Sequence, residues 1–238
     1  MRAALALLGI GLALCPAPLL AQAYQCRMPE KLSPLPQERR GRDAARRVVP
    51  IAGYTLALSW SPEFCRTRQD DGSEALQCSR RFGEFGFVLH GLWPEGKTAI
   101  YPQYCATPPS PVPLSVVRQN LCIMPSQALI QHQWDKHGSC MARDPARYFQ
   151  TASRLFAAVR LPDMERLSRR PLTQGMLKRD IAKLNPGMPA NGIALKVNGR
   201  GWLQEVRLCL GMDYRPRACP SHVRQSRGDA PLKIWRGL

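Results

Sequence analysis

Residues 54–60, Tyr54-Thr-Leu-Ala-Leu-Ser-Trp60, alternate large apolar side chains with small ones. A period of two is the mark of a strand, and this composition predicts a buried one. Phe85-Gly-Phe-Val-Leu89 is a second apolar run, ending in His90 with a stop signal at Trp93-Pro94. Residues 193–197 and 202–210 read as two further strands around Asn198-Gly199. Their interval exceeds two residues, which predicts a bulged or wider loop rather than a tight hairpin. Between these strands the period changes. Ser126 can cap a helix that starts QALIQHQW, reaches about Lys136 and stops near Gly138. Asp144-Pro145 is a cap-plus-first-position signal for another helix. Its apolar positions Tyr148, Phe149, Ala152, Leu155, Phe156 and Val159 follow the helical period. A third helix is predicted from Thr173 to Leu184, with Gly175 as a weak point. Residues 101–113 carry Pro102, Pro108, Pro109, Pro111 and Pro113 and must be loop. With no internal repeat and no linker after residue 50, the chain predicts an α+β fold. It is a single domain over 51–238, with a central, mainly antiparallel sheet and flanking helices.

The N-terminus has a different character. Arg2 precedes the apolar run Ala3 to Leu14, and Ala21-Gln22-Ala23 is a small-x-small cleavage site, so residues 1–23 read as a signal peptide. An uncleaved anchor helix is the rival, but the run is short and badly flanked for one. A lipoprotein cut before Cys15 would need a small residue where Leu14 stands. Residues 24–50 form a Pro- and Arg-rich lead-in, with Arg39, Arg40, Arg42, Arg46 and Arg47 in its basic part. Such a run is a solvated linker or an arm that attracts a polyanion.

The 238 residues carry 34 Lys and Arg against 17 Asp and Glu, a net charge of +17. Without residues 1–23 the chain keeps all its acids and 33 of its basic residues, for +16. Hydrophobic residues make up 45% and charged ones 21%, enough for a packed core and unlike a disordered polymer. Only the N-terminal stretch approaches the length of a membrane span, which excludes a multi-span protein. The charge favours an anionic partner. Removing Cys15 leaves eight cysteines, an even set that argues for disulfides in an exported chain, periplasmic or secreted. No two of them sit in a C-x₂₋₄-C pair, which speaks against a zinc ribbon. Eight cysteines permit 105 pairings.

The chain has four histidines: His90, His132, His137 and His222. In His132-Gln133-Trp134-Asp135-Lys136-His137-Gly138, His132 and Lys136 share one helix face, Gln133 and His137 an adjacent one. Two imidazoles, an ammonium and an amide can thus converge on one patch. Imidazoles on opposite sides of an RNA phosphodiester can take the proton of the 2′-hydroxyl and give one to the leaving oxygen. Lys136 and a third imidazolium can stabilise the charge of the phosphorane. No metal or other cofactor is needed, because the nucleophile is built into RNA. Core or surface histidines are the bland alternative. A metal site is the next rival, but four residues on from His132 stands a lysine, which repels a cation.

The segments HGLWP at 90–94 and H-x-W-x-K-H-G at 132–138 resemble the two active-site segments of the ribonuclease T2 family. LALSWSPEFC at 56–65 is similar to the first strand and first cysteine of bacterial periplasmic members. The resemblance runs from about residue 51 to Cys209 and Cys219. It implies an endoribonuclease of single-stranded RNA, acting by 2′-hydroxyl transesterification and then hydrolysis to a 3′-phosphate. It implies His137 as the base and His90 as the acid, with His132 and Lys136 binding the phosphate. Trp93 would stack on a base, and Glu95 would contact it. His222 matches neither segment and reads as structural or surface. The implied bridges are Cys105–Cys140 and Cys209–Cys219, with Cys65–Cys78 and Cys26–Cys122 as guesses. A monomer, with no membrane insertion once the signal is removed, is the expected state.

The resemblance also has a gap. Family members carry Glu directly after the first histidine of the second segment, where this chain has Gln133. The amide keeps size and hydrogen bonding but not charge, so it stabilises a neighbouring imidazolium less. A changed rate or pH optimum is the expectation. The rival functions are a weakened relative that only binds RNA and a secreted cationic toxin. Nothing resembles an RNA-recognition module, a P-loop or a nucleophile elbow.

Overall fold

β2 (Gly53–Trp60) is an inner strand of the sheet, paired on both sides. The computed structural model describes residues 25–32, 45–69, 72, 75–106, 108, 110–225 and 227–237. The proposed signal peptide with Cys15, and Arg39, Arg40 and Arg42 of the lead-in, lie outside the described residues. Along β2 the alternation has a plain use. Tyr54, Leu56, Leu58 and Trp60 all join one apolar core, while Thr55, Ala57 and Ser59 point to the other face of the sheet. Leu56 and Leu58 are fully buried, each worth roughly 1.5–3 kcal/mol of transfer free energy.

β2 pairs antiparallel with β4 (Phe87–Glu95) on one side and with β6 (Leu203–Leu210) on the other. β5 (Ile193–Val197) completes the order β4-β2-β6-β5. A separate ribbon joins β1 (Gln25–Cys26) to β3 (Gly83–Glu84). β4 runs on through Trp93-Pro94 to Glu95, past the expected stop. It can do so because it is an edge strand, where proline is tolerated. Its outer edge is not left open. The Leu89 N–H donates to the Ile123 carbonyl at 2.7 Å, and the Tyr148 hydroxyl bonds both the N–H and the carbonyl of Leu92.

Four of the helices begin where a side chain caps them. Ser126 accepts from the Leu129 N–H ahead of α4 (Gln127–Lys136), once α1 (Ser61–Cys65), α2 (Ala75–Cys78) and α3 (Leu114–Asn120) have passed. Asp144 accepts from the Arg147 N–H at 2.9 Å and starts α5 (Pro145–Ala158). α6 (Met164–Ser168) is capped by Asp163, and α7 (Gln174–Leu184) by Thr173. Tyr148, Phe149, Ala152 and Phe156 of α5 are buried against the sheet, as the helical period predicts. Gly175 is no weak point: a Cβ there would stand 2.8 Å from the Gly228 carbonyl, to which its N–H donates. Asn198 to Gly201 form the turn before β6, with Gly201 at a positive φ of 85° and the Asn198 carboxamide accepting from Arg200 and Trp202.

Four disulfides join Cys26 to Cys122, Cys65 to Cys78, Cys105 to Cys140 and Cys209 to Cys219. The tail after β6 has little regular structure, yet it packs. Leu232 and Ile234 are buried, and the Trp60 indole N–H donates to the Trp235 carbonyl at 2.6 Å. Among the described residues no helix is long and apolar enough to cross a membrane.

Candidate active site

A β-bulge places the first histidine. Ala57 pairs with Gly91, and Leu58 pairs with Leu89, so His90 has no partner in the ladder. The extra residue lets Leu89 and Leu92, three apart, both face the core, and it turns the imidazole to the opposite side. The second segment comes from α4. His132, Gln133 and Lys136 lie on its last turns, and His137 ends it, its N–H still bonded to the Gln133 carbonyl. Sheet face and helix end meet in a cleft of about 560 Å³.

All four histidines of the chain line that cleft. So do Lys136, Lys196, Arg207 and Arg224, against the single carboxylate of Glu95. The Trp93 ring touches both His90, edge-on at 5.2 Å, and His137, at 5.6 Å. Tyr101 stacks 6.2 Å from His137 on the outer side. Arg207 lies 5.0 Å over Trp93, a cation–π contact that holds the indole.

The tie between strand and helix is made by Gln133. Its Oε1 accepts the Trp93 indole N–H at 2.8 Å, and the side chain is almost wholly buried. Gly91 makes room for it: a Cβ there would collide with Gln133 Oε1 and the indole nitrogen. The amide oxygen is therefore committed to Trp93, not to an imidazole. On the far side, the Cys105–Cys140 bridge and the Ser139 hydroxyl, which accepts from the Cys105 N–H, lock the Tyr101 loop to the residues after His137. The lead-in ends here too. Arg47 pairs by its backbone with Gln103, donates to the Tyr101 carbonyl and lies 5.2 Å over the Tyr101 ring.

His137 is buried, and burial comes first in holding its imidazole well below the usual histidine range; the charges of Lys136, His132 and His90 add to it. Its Nδ1 is enclosed with no hydrogen-bond partner among the described residues, which leaves Nε2 for chemistry. Such a group is held neutral and is able to accept a proton. Its neighbours Lys136 and His132 are suited to an anion.

Two residues were not legible as parts of this site. His222, expected to be structural or surface, stands in the cleft wall with Nε2 3.9 Å from Glu95 Oε2. The loop that carries it is held by Cys209–Cys219 at one end and by a 2.7 Å bond from Lys178 to Gln225 at the other. Glu205 of β6 lies behind His90, with Oε1 2.9 Å from Nδ1. Arg207 donates twice to its Oε2, at 2.9 and 2.7 Å, and Lys196 stands 3.5 Å from Oε1. Burial alone would raise this carboxyl, but the hydrogen bond and charge of His90 and those of Arg207 outweigh it and hold it at about 2. The one signal in the sequence is a pair of opposite charges two apart, hence on one face, in a mostly apolar strand. Among the described residues no three His, Cys, Asp or Glu side chains gather as metal ligands would.

Comparison with known proteins places the cleft in a context. Residues 52–170 match the Ribonuclease T2 family. A ribonuclease of Aeromonas hydrophila is 34% identical over 184 residues, covering 73% of this chain and 78% of that protein. A probable ribonuclease of Haemophilus influenzae is 36% identical over 130 residues, 51% of this chain and 47% of its own length; the chain thus spans about half of that relative. Among solved structures, RNase NT in complex with 5′-AMP superposes with a TM-score of 0.61 at 20% identity, over 78% of this chain and 98% of that one. At that identity the likeness speaks for the fold alone.

Proposed function

The chain belongs to the ribonuclease T2 family, and we propose that it is a metal-independent endoribonuclease of single-stranded RNA. The observation that carries this reading is the convergence of every histidine on one cleft whose lining holds four further cations and one carboxylate. His137, neutral because it is buried among cations, takes the proton of the 2′-hydroxyl. The 2′-oxygen attacks phosphorus, and the bond to the 5′-oxygen breaks. His90 gives its Nε2 proton to that leaving oxygen. Lys136 and His132 stabilise the negative charge that builds on the phosphorane. The products are a 2′,3′-cyclic phosphate and a free 5′-hydroxyl. In a second step His90 takes a proton from water, the hydroxide opens the ring, and His137 returns a proton to the 2′-oxygen. A 3′-phosphate results. Each acid–base group supplies about 10²–10⁴-fold. Trp93, stiffened by Gln133 and Arg207, offers a face for stacking a base, and Glu95 can accept from a base N–H.

Four disulfides and the signal-like residues 1–23 support a periplasmic or extracellular place of action. The nucleophile can be tested directly. An RNA oligonucleotide with a single 2′-deoxy position should be cut everywhere except 3′ to that position. Cleavage at the deoxy position would sink the transesterification.

A further inference from the structure

We propose that Glu205 is a positioning residue for His90: it fixes the ring through Nδ1, so that Nε2 alone faces the reaction and carries the proton to the leaving 5′-oxygen. The inference rests on the reading of His90 as the acid, and goes beyond it by naming what makes that imidazole an acid. Glu205 lies on β6, past residues 52–170 that match the family.

The geometry leaves the carboxylate little choice. Its side chain is 5% exposed. Oε2 is occupied by Arg207, whose Nε and Nη2 both donate to it, at 2.9 and 2.7 Å. Oε1 then points across the sheet at His90 Nδ1, 2.9 Å away, with Lys196 beside it at 3.5 Å. A carboxylate so placed accepts only, so the proton between them belongs to Nδ1. The consequences are two. The ring cannot flip without giving up its hydrogen bond to that buried carboxylate. And whenever Nε2 also holds a proton, the ring keeps its Nδ1–H bond to the carboxylate, so the Nε2 proton is the one presented to substrate.

The bulge makes this possible. His90 is the residue without a ladder partner, so its backbone is free to present Nδ1 toward β6 across the small side chains of β2. Ala57, opposite both Gly91 and Arg207, leaves the space. Gln133, the other candidate for orienting a catalytic histidine, is committed to Trp93. The negative charge behind the acid thus comes from the sheet, not from the helix that carries the base. No proton reaches Glu205 during turnover: Nε2–H breaks, the 5′-oxygen takes the proton, and Nδ1–H stays in place. Arg207 and Lys196 compensate the carboxylate throughout.

The test compares Glu205→Gln, His90→Ala and the double variant on two substrates. One is a dinucleotide with a natural 5′-oxygen leaving group. The other is a nucleoside 3′-(4-nitrophenyl phosphate), whose leaving group departs without a proton. On the dinucleotide, Glu205→Gln should lower kcat about 10- to 100-fold, a part of what a whole acid–base group supplies, with KM within about twofold. On the nitrophenyl ester the loss should shrink to about threefold or less. In the His90→Ala background, Glu205→Gln should cost no more than about twofold on the dinucleotide, because it acts through a ring that is gone. An equal loss on both substrates, or an undiminished loss without His90, would make Glu205 merely structural and overturn the proposal. Full activity of His90→Ala would overturn the acid–base reading itself, and the proposal with it. Should Glu205→Gln fail to fold, the unaltered protein still decides. Imidazole ¹⁵N shifts should show His90 protonated at Nδ1 in its neutral form, and protonation at Nε2 instead would contradict the proposal.

Discussion

His137 is a buried imidazole among cations, so it stays unprotonated as the pH falls. The acid limb of kcat/KM should therefore lie well below 6.5, the ordinary histidine value. The same group marks the stability. Below about pH 6.5 the unfolded chain binds a proton at His137 that the folded chain refuses, so folding weakens as the pH drops. The slope is at most about 1.4 kcal/mol per pH unit and ends once the folded imidazole also protonates. Glu205 acts lower. Its depressed carboxyl contributes stability that is complete above about 4.3 and lost as the pH falls toward about 2. Urea melts from pH 7 to 5 should accordingly flatten in His137→Gln and not in Glu205→Gln; parallel curves for His137→Gln and the unaltered protein would contradict the burial argument. Gln133 offers a further check. Gln133→Glu keeps the acceptor for Trp93 but sets a buried charge beside two imidazoles, so the acid limb should move to higher pH. Superimposable profiles would remove any electrostatic meaning from this position.

The bulge in β4 and the end of α4 are the two pieces that must meet. Among their links is the hydrogen bond from the Trp93 indole to Gln133 over a bare Gly91. Gly91→Ala would force the carboxamide off the indole and should cost about 1–3 kcal/mol of stability, as overpacking does. It should also lower kcat/KM by about tenfold or more, as misplacement of a catalytic group does. Unchanged thermal unfolding and activity would show that the link is not needed. These pieces differ in how far they can be read beforehand. Ser126, Asp144 and Thr173 announce their helices, and the alternation in 54–60 announces the central strand, because caps and periods are local. The bulge at His90 is not local: it depends on the register against β2. Nor is the edge position local that lets the strand pass a proline that looked like its end. Glu205 and His222 escape for the same reason. Their roles come from facing another strand, or a disulfide-held loop, far away in the chain. The spacing of His132, Lys136 and His137 was legible because one helix holds all three.

Across the molecule, the excess of basic residues should act on binding more than on chemistry. Each RNA phosphate neutralised contributes about −0.7 to the slope of log binding against log salt for single strands. Replacing Arg39, Arg40 and Arg42 together by Gln should weaken RNA binding and reduce that slope, while the maximal rate stays within about twofold. An unchanged slope would make that part of the lead-in a plain linker. Arg47 differs, being packed on Tyr101 at the cleft, and its loss should raise KM directly. The disulfides serve the site as well as the fold. Cys105–Cys140 holds one wall of the cleft, Cys209–Cys219 the loop of the other. The most direct test of the whole is to cut a defined single-stranded RNA with the oxidised chain 24–238 in excess EDTA, beside His137→Ala. The ends expected are 2′,3′-cyclic or 3′-phosphates and free 5′-hydroxyls, absent with the variant. Cleavage that EDTA abolishes, or that survives the loss of His137, would contradict the account.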